Sequence, residues 1–159
     1  MNLGVVHRAT GASEAALAAL RRAEVLAPDH EGILYNLGNA LMDNNALDAA
    51  IGVYRRALQI APRFADAYNN LGEVFIRQGE RKAAIAQFRA GLERVGEHLG
   101  LLVNLGNTLH LEGETGAALS CLSRALELSP DSIAIRRNLG NVLRTLGYFL
   151  RILKNLEWS

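Results

Sequence analysis

The triplet Asn-Leu-Gly stands at residues 2–4, 36–38, 70–72, 104–106 and 138–140, so five copies follow one another at a constant spacing of 34 residues. A period of this length, kept without an insertion, is the signature of stacked repeats, in which each unit buries its apolar face only against its neighbours. Such a chain presents the same side chain at regular intervals along one surface, and that surface is the usual docking place for a partner.

The unit 31–64 shows what each repeat is made of. Leu34, Leu37, Gly38 and Leu41 recur at helical spacing and predict a first helix over about residues 31–44. Asn44-Asn45 interrupts the pattern. A second helix is predicted from Leu47 to Ile60, with Ala50, Ile51, Tyr54, Ala57 and Leu58 on its inner side. Ala61-Pro62 ends it, because proline disfavours helix in the residue before it and removes a backbone donor. Gly38, Ala50 and Ala57 remove bulk where the two helices approach, and Leu34, Leu37, Leu41 and Tyr54 fill the space around them. A glycine inside a helix costs about 1 kcal/mol of propensity, so its return in every repeat implies a packing reason.

Taken in order, Leu34, Leu37-Gly38, Leu41, Ala50, Tyr54, Ala57 and Pro62 resemble the tetratricopeptide repeat (TPR). The next unit repeats the pattern with Tyr68, Leu71-Gly72, Phe75, Ala84, Phe88 and Gly91, and the one after with Leu102, Leu105-Gly106, Leu109, Ala118, Leu122, Ala125 and Pro130. A partial first unit keeps Leu3-Gly4, Ala16, Leu20, Ala23 and Pro28. The resemblance covers nearly the whole chain. It implies an all-α fold, a right-handed alpha-alpha superhelix (TPR solenoid) of about four and a half helical hairpins. The chain then divides into a partial repeat (1–30), repeats 31–64, 65–98 and 99–132, and a partial or capping repeat (133–159) of a single array.

Three places depart from the pattern. Gly96 replaces the expected proline, which predicts a looser turn over Val95–His98. The first unit lacks the opening turn of its first helix. The last keeps a first helix, Ile133 to Leu146, but has Ile152 where the second helix needs alanine. Phe149, Ile152, Leu153 and Leu156 still form an apolar stripe there, followed by Trp158. It is expected to be a capping helix over the open end of the stack, or alternatively a self-association surface that makes the chain a homo-oligomeric scaffold. A start and an end inside repeats also suggest a piece of a longer array.

The resemblance implies that first helices line a concave groove and second helices form its outer wall. The residue before each Leu-Gly then aims into the groove, and it is asparagine every time: Asn2, Asn36, Asn70, Asn104 and Asn138. One turn further along the same face stand Asn39, Glu73, Asn107 and Asn141. A carboxamide carries an acceptor oxygen and two donors, so a row of them can bracket the amides of an extended peptide and read backbone rather than side chain. At about 0.5–1.5 kcal/mol per bond, four or five give useful affinity after ordering costs. The ladder resembles the repeat arm of O-linked N-acetylglucosamine transferases, which implies a substrate-recruiting arm of a larger enzyme as a further alternative. Other family members clamp a chaperone's terminal carboxylate with lysines and an arginine. Here the corresponding positions are largely Tyr35, Asn69, Val103, Gly32, Asp66 and Gly100, with only Arg137 basic, which argues against that ligand.

Several other chemistries find no support. The net charge is +1, with acids and bases interspersed, so the footprint of a nucleic-acid binder is missing. No apolar run is long enough to span a membrane. His7, His30, His98 and His110 are far apart, and no Cys/His spacing suggests zinc. The one cysteine, Cys121, excludes an internal disulfide, and a start already inside a repeat does not resemble a secretory leader, so the expected setting is cytoplasmic. No nucleophile–base set has a structural context for catalysis, and no cofactor is implied. The arginines Arg21, Arg22, Arg55, Arg56, Arg89 and Arg124 recur on second helices and are read as a solvated outer face. The expectation is a non-enzymatic module that binds protein or peptide partners.

Overall fold

The computed structural model describes the backbone over residues 3–156 and the side chains over residues 14–147. Among the described residues eight helices follow in order: α1 (Leu3–Leu26), α2 (Glu31–Asp43), α3 (Leu47–Ile60), α4 (Ala65–Arg77), α5 (Arg81–Val95), α6 (Leu99–Leu111), α7 (Thr115–Leu128) and α8 (Ile133–Leu156). Among the described residues there is no strand. The chain forms two compact units, Met1–Glu80 and Arg81–Ser159. In the first, α1 packs on α2, α2 on α3 and α3 on α4; in the second, α5 packs on α6, α6 on α7 and α7 on α8.

The hairpins close where the repeat demands small residues. In the first unit Leu34, Leu37 and Leu41 of α2 are buried with Ala50, Tyr54 and Ala57 of α3. A Cβ on Gly38 would stand 2.5 Å from the Tyr54 ring, so only glycine lets α3 approach. The second unit repeats the arrangement with Leu102, Leu105 and Leu109 of α6 and Ala118, Leu122 and Ala125 of α7. There a Cβ on Gly106 would lie 2.7 Å from Leu122 Cγ.

The turns within hairpins share one device. Asn45, Gly79 and Gly113, spaced by the repeat, have φ of 57°, 80° and 82°. At each, the residue's own amide donates three residues back and the next amide five residues back, as in Ala46 N to Leu41 O (2.8 Å), Glu80 N to Phe75 O (2.8 Å) and Glu114 N to Leu109 O (2.9 Å). This is the Schellman pattern, which satisfies the last carbonyls of a helix and needs a residue tolerant of positive φ. The turn at Gly96 closes in a related way: Gly96 has φ 90°, and its amide donates to Leu92 O at 2.9 Å.

Helix starts reveal a function for two histidines that the sequence reading passed over. His30 Nδ1 accepts from the amides of Gly32 (3.2 Å) and Ile33 (3.4 Å), and His98 Nδ1 from that of Leu101 (3.4 Å). Ser132 Oγ accepts from the Ile135 amide at the next repeat position (3.4 Å). Each replaces a partner that the first turn of a helix lacks.

Both ends differ from the expected hairpins. Gly11 and Gly147 occupy the same repeat position as the turn residues, yet α1 and α8 pass through them as continuous helices of 24 residues each. A separate capping helix after Leu146 is therefore not present among the described residues. The segment after Gly147 has Ile152 in place of the alanine that lets a second helix close on the first, so a hairpin there would bring no close contact. The side chains of Phe149, Ile152, Leu153 and Leu156, and all of Trp158, lie outside the described residues.

Candidate peptide-binding face

In the first unit, α2 supplies Tyr35, Asn36 and Asn39, and α4 supplies Asn69 and Asn70. Asn36 is exposed, and Asn39 and Asn70 are half-buried. The structure brings the latter two together: Asn70 Nδ2 donates to Asn39 Oδ1 at 2.8 Å and to the Tyr35 hydroxyl at 3.2 Å. Asn39 Oδ1 also accepts from the Tyr54 hydroxyl at 2.6 Å, and Asn70 Oδ1 accepts from Asn69 Nδ2 at 3.4 Å. The Tyr35 ring packs on Phe64 (centroids 4.9 Å apart) and Tyr54 (6.2 Å). Asn39 and Asn70 thus belong to a fixed polar network rather than a row of independent groups, while Asn36 projects outward beside it.

Tyr54 was legible only as a packing residue. Tyr54 is fully buried, and a buried phenol must find a partner for its hydroxyl. Burial, against an opposing contribution from Asn70, pushes its pKa up to about 12, so at neutral pH it is a donor that holds Asn39 by its oxygen.

The second unit carries its carboxamides differently. Leu122 stands where the first unit has Tyr54, so no hydroxyl reaches Asn107 from that position. Asn104, Asn107, Asn138 and Asn141 are all half-buried, with Asn104 and Asn107 on α6 and Asn138 and Asn141 on α8. Thr108, buried beside them, donates its hydroxyl to the Asn104 carbonyl oxygen at 2.7 Å. Arg144 Nη2 donates to Asn141 Oδ1 at 3.2 Å.

Three arginines of the second helices are paired. Arg56 bonds Glu24 and the Pro28 carbonyl (3.1 Å), Arg89 reaches Glu114 (3.4 Å), and Arg124 takes both oxygens of Glu97 (2.5 and 2.7 Å) as well as Glu127. That fork of hydrogen bonds from Arg124 holds the Glu97 carboxyl below its ordinary range. Burial raises the Cys121 thiol, which disfavours the reactive thiolate. Among the described residues no cluster of three or more His, Cys, Asp or Glu could hold a metal ion, and no helix is long and apolar enough to cross a membrane.

A family model described as TPR repeat matches residues 38–79 and 106–147, more than half of the chain, and one described as Tetratricopeptide repeat matches 64–102. The chain belongs to the tetratricopeptide-repeat family. No curated protein matches it. Among solved structures, a crystal structure of MamA superposes with a TM-score of 0.77 at 22% identity, over 99% of this chain and 96% of that one. YrrB, described as a TPR protein with an unusual peptide-binding site, gives 0.72 at 27% identity over 86% of this chain and 70% of that one. The first TPR of Spaghetti (RPAP3), bound to the HSP90 peptide SRMEEVD, gives 0.69 at 17% identity, over 74% and 93%. The TPR chain is thus all-α in class and repeat architecture, as its period implied.

Proposed function

We propose that this TPR chain is a protein-interaction module whose first helices bind extended peptide segments through their carboxamides. The observation that carries the reading is the network of Asn39, Asn70, Tyr35 and Tyr54, which holds two carboxamides in one orientation before any ligand arrives. Preorganised polar groups bind with less ordering cost than mobile ones. In the first unit exposed Asn36, beside that network, meets a peptide backbone while Asn39 and Asn70 set the geometry; in the second unit Asn104 and Asn138 meet it and Asn107 and Asn141 assist. The peptide-binding site named for YrrB, at 27% identity, supports the same class of ligand.

The chemistry of this face suits an uncharged backbone. It has no pair of lysines to hold a terminal carboxylate, and its repeated group is neutral. Selection from a random peptide pool, followed by titration calorimetry, tests the reading. Asn36→Ala and Asn138→Ala are each expected to weaken the selected peptide by roughly 2- to 10-fold, the equivalent of one lost hydrogen bond. Gln59→Ala, on an exposed position of α3, is the control and should leave affinity unchanged. Equal affinity for all three variants, or selection of no peptide, would refute the proposal.

A further inference from the structure

One turn of the first unit departs from its counterparts at the edge of the polar network. The position before a first helix is held by His30, His98 and Ser132 in the other repeats, and each caps the helix that follows with a side-chain acceptor. Here the residue is Phe64, which gives α4 no side-chain cap. Phe64 supplies instead a half-buried ring, packed on Tyr35 with centroids 4.9 Å apart. Tyr35 is likewise peculiar to this repeat, its counterparts being Asn69, Val103 and Arg137. Phe64 also lines an open cavity of about 480 Å³, together with Glu31, Ala61, Pro62 and Arg63. The start of α2 and the turn from α3 to α4 form it, so it lies well inside the array. Ala61, Pro62 and Phe64 make its walls apolar. Glu31 and Arg63 are exposed, and neither has an ion pair among the described residues.

Resting on the peptide-binding function proposed for this face, we propose that the cavity receives an aromatic side chain of the bound peptide. The first unit then selects peptides that carry a tryptophan or a tyrosine. Continuity puts the cavity within reach of the same ligand. The Tyr35 ring packs on Phe64, its hydroxyl accepts from Asn70 Nδ2 at 3.2 Å, and Asn36 is its neighbour in sequence. Side chains of an extended peptide alternate in direction, so a backbone met by Asn36 turns every second side chain towards one side. The lining favours a ring over an aliphatic chain. A ring stacks on Phe64 in the offset or tilted manner that aromatic pairs prefer, and it offers a face to the Arg63 guanidinium. An indole N–H or a phenol O–H finds an acceptor in the Glu31 carboxylate. An aliphatic chain would use the apolar walls alone and leave both charges without a role. Carboxamides read backbone whatever the sequence, and an aromatic seat adds the preference that they lack.

Titration calorimetry with peptides selected from a random pool tests the proposal, using Phe64→Ser, Asn36→Ala and each peptide with its aromatic residue replaced by alanine. Serine caps α8 from this repeat position, so circular dichroism of Phe64→Ser should match the parent. The selected peptides are expected to share a tryptophan or tyrosine. Replacing it, or making Phe64→Ser, should each weaken binding by roughly tenfold, and the two together no further than either alone. Losses that simply add would show Phe64 acting only through Tyr35 and Asn70, and would overturn the proposal. Peptides without an aromatic preference that are still weakened by Asn36→Ala would overturn it and leave the carboxamides in their role. If Asn36→Ala has no effect while Phe64 and the peptide's ring stay coupled, the carboxamide role fails and the aromatic seat stands. Selection of no peptide would overturn both.

Discussion

A glycine returns before every helix contact in this chain, but its work differs from copy to copy. At Gly38 a methyl group would enter the Tyr54 ring at 2.5 Å, and a fully buried aromatic has little room to give. Gly38→Ala should therefore destabilise the protein by about 1–3 kcal/mol through overpacking. Gly140→Ala meets nothing within 4 Å and should stabilise it by up to about 1 kcal/mol through helix propensity. Urea titrations of both variants check the opposite signs. Tyr54 supplies a second test. Its folded pKa of about 12 lies above the ordinary 10.0, so its contribution to stability is complete below pH 10 and is lost as the pH rises from 10 towards 12. In Tyr54→Phe that part of the alkaline loss should vanish, while stability at neutral pH falls by about 1 kcal/mol with the lost bond to Asn39. Alkaline unfolding curves followed by circular dichroism report both effects; unchanged curves would contradict the assignment.

At the scale of the element, the 34-residue period made most helices legible. Apolar spacing and Asn44-Asn45 bound α2 and α3 almost to the residue. The capping histidines were missed because histidine is not among the strong N-cap residues, although His30 and His98 share one repeat position. The terminal helices were missed for a different reason. A turn glycine permits a hairpin but does not enforce one, and Gly147 stays helical where no close-fitting second helix follows. Substitution should separate the two kinds of glycine. Gly79→Ala and Gly113→Ala, at φ near 80°, are each expected to lose roughly 1–2 kcal/mol, the penalty of a side chain in the left-handed region. Gly147→Ala should gain up to about 1 kcal/mol. Thermal unfolding of the three variants gives the comparison, and a loss at Gly147 as large as at Gly113 would indicate a hairpin there in solution.

For the whole molecule, repetition explains both what the sequence disclosed and what it concealed. It announced the family and the row of asparagines, because identical spacing is visible without coordinates. It concealed the network around Asn39, since that depends on one hydroxyl, Tyr54, at a place where the second unit has Leu122. The two units therefore present the same carboxamides with different support: tyrosines and a neighbouring asparagine hold them in one, and Arg144 holds Asn141 in the other. On the proposed function, Asn36, Asn104 and Asn138 meet a peptide backbone. The most direct measurement follows the side-chain amide signals of the asparagines by nitrogen-15 NMR while a peptide selected from a random pool is added. Shifts are expected at Asn36, Asn104 and Asn138, with the arginine side chains of α3 and α7 unmoved. Binding that leaves those amide signals in place, or that shifts Arg55 and Arg124 instead, would contradict it.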